Sequence, residues 1–121
     1  MDVLIVDDSA AIRKILQRVL LQAEVPVGTV FEASDGVEAL AILRKQTVGL
    51  VLSDINMPNM DGLEFLTTVR AEAQWRDLPI LMVSTEGTQA KVLEAVERGA
   101  SGYVRKPFTA DQIKEKLAGL F

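Results

Sequence analysis

Three carboxylates and one lysine each stand directly after an apolar, strand-like run, and these residues could do chemistry together. They are Asp7, Asp8, Asp54 and Lys106. If the runs are neighbouring parallel strands, their carboxyl ends meet in one crevice, where open α/β sheets bind ligands. Acids held that close repel one another, so the cluster favours a hard divalent cation, and Mg²⁺ is the natural candidate. A lysine beside such a metal suits an incoming anion, of which phosphate is the usual one.

The composition excludes most other kinds of site. The chain has no His and no Cys, which rules out imidazole bases, thiolate nucleophiles, zinc sites and disulfide scaffolds. A net charge of −4 argues against binding nucleic acid, because that affinity rests on Lys and Arg neutralising phosphates. The 121 residues, 49% of them hydrophobic, suffice for one domain with a real core, so residues 1–121 are expected to form a single domain.

Membrane signals are missing from the sequence. Its apolar runs are far shorter than the roughly 20 residues that cross a bilayer. Asp2 and Asp7 contradict a signal peptide at the start of the chain. We therefore expect a cytoplasmic protein that does not bind a membrane.

The hydrophobic pattern alternates between strands and helices five times. Strands are predicted at 3–6, 30–33, 50–52, 80–83 and 103–104, and the helices between them should begin near polar capping residues. The predicted caps are Ser9, Asp35, Asp61 and Thr109. Glu38 and Gln112 stand three positions after a cap, which is typical of a capping box. The first helix should run to about residue 23 and the fourth from 88 to 98.

The predicted strands indicate a fold class. Three of them are apolar throughout, which is typical of a parallel sheet covered by helices on both faces. Right-handed crossovers leave few topologies, and the flavodoxin-like three-layer sandwich with strand order 2-1-3-4-5 fits. That order would bring Asp7, Asp8 and Asp54 together, flanked by Ser84 and Lys106.

Two helices carry apolar positions that we expect to face the sheet. For the second helix these are Val37, Leu40, Ala41 and Leu43. For the fourth helix they are Leu93 and Val96, with Ala100 beyond its end.

Four short segments, taken in order, carry a resemblance to a known family. They are Asp7-Asp8, the stretch Ser-Asp-Ile-Asn-Met-Pro-Asn-Met-Asp-Gly at 53–62, Ser84-Thr85, and Lys106-Pro107-Phe108. Together they resemble the receiver domain of two-component response regulators, and within that family the stand-alone chemotaxis regulators. Receiver domains are themselves standard examples of the 2-1-3-4-5 order, so the resemblance and the pattern lead to the same fold. The departures are Ser84, where a Thr is usual, and Arg105, where an apolar residue is common.

The resemblance implies a role for each site residue. Asp54 would be the phosphoacceptor, with Asp8, Asp54 and the Asn56 carbonyl binding Mg²⁺ directly and Asp7 acting through a coordinated water. Lys106 and the Ser84 hydroxyl would hold the phosphoryl oxygens, with backbone N–H groups near Asn56 and Thr85.

A second implied feature is a conformational switch. Ser84 would move toward the phosphoryl group and Tyr103 would turn from outside to inside. That motion would reshape the face made by helix four, strand five and helix five. The family's bond between Lys106 and Pro107 is cis.

The implied partners are a histidine kinase as phosphodonor, a flagellar switch protein as target and a phosphatase. The protein itself would be a monomer and not an enzyme, although it would assist its own phosphorylation and slow dephosphorylation.

Alternatives to this function remain open. The chain could serve another phosphorelay or be part of a larger regulator. A flavin-binding protein of the same fold, a metal-dependent phosphatase and a structural pseudo-receiver are the rival classes. The first lacks its phosphate loop after strand one, and the second lacks the Asp-x-Asp spacing.

Overall fold

The computed structural model describes residues 1–120, which form five parallel strands and five α-helices in alternation. The strands are β1 (Val3–Val6), β2 (Val30–Ala33), β3 (Leu50–Ser53), β4 (Ile80–Ser84) and β5 (Gly102–Arg105). The helices are α1 (Ala10–Gln22), α2 (Gly36–Lys45), α3 (Gly62–Ala71), α4 (Gln89–Glu97) and α5 (Ala110–Ala118). The strand order is β2-β1-β3-β4-β5, so the predicted flavodoxin-like sandwich is confirmed.

The core lies on both faces of the sheet. Every residue of β1, β3 and β4 is buried, as their apolar sequences predict for central parallel strands. Alternate strand residues point to opposite faces. Leu4 and Met82 belong to a cluster with α2, α3 and α4, whereas Ile5 and Leu81 belong to one with α1 and α5.

Side-chain caps begin all five helices within the described part of the chain, four of them at the predicted caps, while Thr88, predicted as the first residue of α4, is its cap. The capping box at Thr109 and Gln112 is present. Of the capping box predicted at Asp35, the Asp35 side chain does accept from the Glu38 N–H, but the prediction is wrong for the reciprocal contact. The Glu38 carboxylate accepts from the Ser34 N–H and hydroxyl instead of reaching back to the Asp35 N–H.

Two helices present to the sheet a face that differs in part from the one predicted. In α2, Leu40 and Leu43 are buried as predicted and Ala39 is buried with them, but the prediction is wrong for Val37, which is 53% exposed, and for Ala41, which is also exposed. In α4 the buried residue is Ala95.

The predicted α4 contacts are wrong for Leu93 and Val96, each 53% exposed, while Ala100 is partly buried against the core. Apolar residues at 92, 93, 95 and 96 allow two helical phases, and the small Ala95 is the one that packs against the sheet.

Helix α3 leads into a 3₁₀ turn at Ala73–Trp75, which the sequence pattern did not predict. The Trp75 ring packs against the core and its carbonyl accepts from Arg70 at 2.7 Å. Trp75 therefore anchors the connection to β4, in line with the packing role that a lone tryptophan suggests. None of the helices in residues 1–120 is long and apolar enough to cross a membrane.

Candidate functional site

The strand register brings the acids together. Val6 of β1 pairs with Ser53 of β3, so Asp7 and Asp54 follow paired residues on adjacent strands. The Asp54 N–H donates to the Val6 carbonyl at 2.9 Å, which extends the ladder by one step. Two side chains far apart in sequence are thereby fixed at the same edge of the sheet.

The lysine reaches the acids from the other side of the crevice. Ser84 of β4 pairs with Arg105 of β5, and the Lys106 N–H donates to the Ser84 carbonyl at 2.8 Å. The Lys106 Nζ lies 2.7 Å from Asp7 Oδ2 and 3.3 Å from Asp54 Oδ2. The Lys106–Pro107 peptide bond is cis.

Lys106 is partly buried, and its charge is set by two opposing effects. Burial lowers the pKa of the ammonium, but the hydrogen bond to Asp7 and the negative charges of Asp54 and Asp7 raise it by more. The net pKa of Lys106 is raised above its ordinary value. The side chain is therefore a permanent cation at neutral pH.

Three carboxylates converge beside this lysine. One oxygen from each of Asp7, Asp8 and Asp54 lies within 4.8 Å of the others. Asp7 Oδ1 accepts from the Ser9 N–H at 2.9 Å, and Asp54 Oδ1 accepts from the Ile55 N–H at 2.7 Å. Asp7 and Asp54 are buried and Asp8 is exposed at the mouth. An all-oxygen donor set with excess negative charge and an open side fits a hard divalent cation such as Mg²⁺.

The β3–α3 loop (residues 55–61) forms one wall of the crevice. Gly62 follows it, and a Cβ at this position would collide with the Asp54 carbonyl, so only glycine allows so close an approach. Within the loop, the Asn56 side chain donates to Glu86 Oε1 at 3.2 Å. Asn56 thus joins this wall to the β4–α4 loop.

Ser84 and Tyr103 meet at the same β4–α4 loop. Ser84 is fully buried, and its Oγ accepts from the Glu86 N–H at 3.3 Å. The Tyr103 hydroxyl donates to the Glu86 carbonyl, and its ring packs on the core. Burial raises the pKa of Tyr103, which the nearby Ser84 hydroxyl partly offsets, so the phenol stays a neutral donor. Tyr103 is half-buried, with its hydroxyl on the backbone of the β4–α4 loop.

One residue bordering the site was missed by the sequence analysis. Arg13 of α1 donates from Nη1 to the Asp7 carbonyl at 2.5 Å and from Nε to Glu32 of β2 at 2.9 Å. The Arg13 guanidinium therefore stabilises the turn that carries Asp7 and Asp8. The sequence feature that could have indicated this role is the position of Arg13 one turn after the Ser9 cap, on the helix that begins at the crevice.

The chain is similar to known proteins along nearly its whole length. The family model described as "Response regulator receiver domain" matches residues 3–118. A chemotaxis protein CheY homolog of Campylobacter jejuni is 44% identical over 97% of this chain and 89% of its own.

Solved structures agree with the sequence relatives. CheY4 of Vibrio cholerae superposes with a TM-score of 0.87 at 38% identity, covering 99% of this chain and 98% of that one. CheY of Borrelia burgdorferi, solved in a CheX-CheY-BeF3-Mg+2 complex, superposes with a TM-score of 0.91 at 26% identity, covering 100% and 89%.

Proposed function

We propose that Asp54 accepts the phosphoryl group in this chain. The chain belongs to the response regulator receiver family and is a phosphorylation-activated two-component switch of the CheY type. The observation that carries this assignment is the position of the Asp54 carboxylate. It lies 3.3 Å from the Lys106 ammonium and within 4.8 Å of the Asp7 and Asp8 oxygens. A nucleophile, a cation and candidate metal ligands thus share one crevice.

The phosphodonor is the phosphohistidine of a histidine kinase. An Asp54 oxygen forms the new O–P bond while the donor P–N bond breaks, and its electron pair stays on the imidazole nitrogen. A carboxylate nucleophile has no proton to lose, so the transfer needs no general base. The chain is then the substrate of the kinase, and any help it gives to its own phosphorylation comes from positioning and charge.

The side chains around Asp54 hold the phosphoryl oxygens. The Lys106 ammonium has three N–H donors, of which Asp7 and Asp54 use two, and the third is available to a phosphoryl oxygen. The Ser84 hydroxyl and the backbone N–H groups of Asn56 and Thr85 complete the set. Fixed donors aimed at developing charge are the usual way of accelerating phosphoryl transfer.

Asp8, Asp54 and the Asn56 carbonyl would hold Mg²⁺ directly, and Asp7 would act through a coordinated water, in keeping with the preference of Mg²⁺ for retaining waters. A cation held there would supply charge that offsets the repulsion between an anionic acceptor and an anionic donor.

Phosphorylation is read out on the face formed by α4, β5 and α5. Ser84 and Tyr103 both contact the β4–α4 loop, so a phosphoryl group that draws Ser84 toward itself changes the position available to Tyr103. The target is a flagellar switch protein in chemotaxis, and a phosphatase resets the signal. The protein acts as a cytoplasmic monomer.

The assignment predicts that acetyl phosphate with Mg²⁺ adds one phosphoryl group to the wild-type protein. Asp54→Asn should abolish the addition and leave the fold intact, because the amide is isosteric and no longer nucleophilic. Intact-mass spectrometry measures the addition, and circular dichroism checks the fold.

Asp61→Asn is the matched control. Asp61 caps α3 seven residues later, and asparagine is an equally good cap. This variant should be labelled like the wild type. Undiminished labelling of Asp54→Asn would refute the acceptor assignment. Turnover of small phosphate esters would favour a phosphatase instead.

A further inference from the structure

The β3–α3 loop is fastened to the rest of the protein at its far end as well as at the crevice. At the crevice end the Gly62 N–H donates to the Ile55 carbonyl at 2.7 Å. At the far end Asn59 Nδ2 donates to Asp35 Oδ2 at 2.7 Å. Asn56, whose carbonyl is a proposed Mg²⁺ ligand, lies between the two attachments.

Asp35 is built to hold both the loop and a helix. It is 5% exposed, and its two oxygens have separate partners. Oδ1 accepts from the Glu38 N–H at 2.8 Å and so caps α2, while Oδ2 accepts from Asn59. The Glu38 N–H and then the Asn59 amide lower the pKa of Asp35, so the carboxylate is ionised when it makes these bonds.

The neighbouring residues strengthen the same attachment. Asn59 has a left-handed φ of 65°, a conformation that asparagine tolerates better than most residues. The Gly36 N–H donates to the Met60 carbonyl at 3.1 Å, and a Cβ on Gly36 would lie 2.6 Å from Met60 Cγ. The loop therefore rests on the first turn of α2 in one defined conformation.

We propose that Asp35 and Asn59 are positioning residues for the metal and phosphoryl site, because their hydrogen bond fixes the loop conformation that presents the Asn56 carbonyl. The inference rests on the proposed function of that carbonyl. Only Met57 and Pro58 lie between Asn56 and Asn59, so a shift at Asn59 is transmitted over a chain of roughly 10 Å at most. Partners that orient metal ligands are worth about tenfold or more in metal affinity.

Two variants remove the bond while keeping the local backbone. Asn59→Gly keeps the left-handed conformation and deletes the amide. Asp35→Ser keeps a helix cap and deletes the contact with Asn59. We expect each to weaken Mg²⁺ binding about tenfold. The double variant should be no weaker than either single variant, since all three lack the same bond.

The binding is measured by calorimetric titration of the metal-free protein with Mg²⁺ alone. A second measurement needs no metal. Amide hydrogen exchange at Asn56 and Met57 should be faster in both variants than in the wild type, because the loop opens more often. The swapped variant carrying Asp35→Asn and Asn59→Asp restores the bond with donor and acceptor exchanged, and it should recover most of the lost affinity.

Ser34→Ala is the matched control, since it removes a contact with Glu38 at the same helix start but leaves the loop attachment intact. It should bind Mg²⁺ like the wild type. If the Asn59 and Asp35 variants lose stability but keep wild-type Mg²⁺ affinity, the pair is only structural and the inference is overturned. If the wild type itself binds no Mg²⁺, the proposed function fails as well.

Discussion

Asp7 and Asp54 are both buried and both contact Lys106, while Asp8 lies exposed at the mouth of the crevice. These four side chains carry two negative charges in excess. Without a bound cation, repulsion between these like charges at short range lowers the stability of the fold. The same excess negative charge favours the binding of a cation.

Removing the exposed acid tests this balance. Asp8→Ala should weaken Mg²⁺ binding and raise the free energy of unfolding of the metal-free protein by about 0.5 kcal/mol, the scale of exposed charge interactions. Urea unfolding with and without Mg²⁺ measures both effects. Glu115→Ala, an exposed acid on α5, is the control and should change neither. A melting temperature several degrees lower with unchanged Mg²⁺ affinity would contradict the crowded-acid interpretation.

The Asp35 carboxylate gives the fold a defined pH dependence. Its pKa is lowered in the folded protein by the Glu38 N–H and the Asn59 amide, against the opposing effect of burial. A lowered pKa stabilises the fold above the unfolded-state pKa, and this contribution is lost as the pH falls through the folded-state pKa.

We therefore expect Asp35→Asn to unfold more easily than the wild type near neutral pH. The difference in free energy of unfolding between the variant and the wild type should narrow as the pH drops below about 4, the ordinary range of an aspartate pKa. Urea unfolding at several pH values measures this difference. If the difference stayed constant from pH 7 to pH 3, the carboxylate charge would not contribute to stability.

Among the elements, the strands were the most predictable and the helix faces the least. β1 is apolar throughout, and β3 and β4 are apolar except for a final serine, so their central position follows from the sequence, while β3 and β4 each extend one residue beyond the predicted end. The order of the strands then places Asp7 beside Asp54. Helix α4 has apolar residues on two overlapping stripes, and only the packing of Ala95 against the sheet decides between them.

The packing of α4 predicts that substitution of Ala95, and not of Leu93, destabilises the fold, which is opposite to what the sequence pattern indicates. Ala95→Leu should destabilise the fold by about 1–3 kcal/mol, because a larger side chain would overpack the core. Leu93→Ala should change stability by less than about 0.5 kcal/mol, because Leu93 is 53% exposed. Urea unfolding of the two variants decides the point. A loss of several kcal/mol for Leu93→Ala would mean that α4 packs in the other phase.

At the scale of the molecule, Glu86 connects the crevice to the α4–β5–α5 face, which we propose as the output face. Its carboxylate accepts from Asn56, its N–H donates to Ser84, and its carbonyl accepts from Tyr103. The sequence indicated that Asn56, Ser84 and Tyr103 belong to one functional unit. It could not supply their contacts with Glu86, which lies 30 residues from Asn56 and 17 from Tyr103. The Asp35–Asn59 bond, 24 residues apart, escaped prediction for the same reason.

The last prediction concerns the output face. Its exposed apolar residues are Leu93 and Val96 of α4, with Tyr103 half-buried nearby in β5. A ligand shifts a two-state equilibrium only by its differential affinity for the two states. Beryllofluoride with Mg²⁺, as a phosphoryl mimic, should favour the state in which Ser84 and Lys106 contact it best. The activated protein should therefore bind its target more tightly, by a ratio equal to the shift in the switch equilibrium.

Amide chemical shifts recorded with and without beryllofluoride and Mg²⁺ map the change. We expect shifts at the crevice and also at residues 90–98, at Tyr103 and at residues 114–117. Asp54→Asn is the control and should show neither set, because beryllofluoride needs the carboxylate. Shifts confined to the crevice would contradict the assignment of the α4–β5–α5 face while leaving the phosphoryl chemistry at Asp54 standing, because that chemistry rests on Lys106, Asp7 and Asp8, whereas the readout rests on Tyr103 and its contact with the β4–α4 loop.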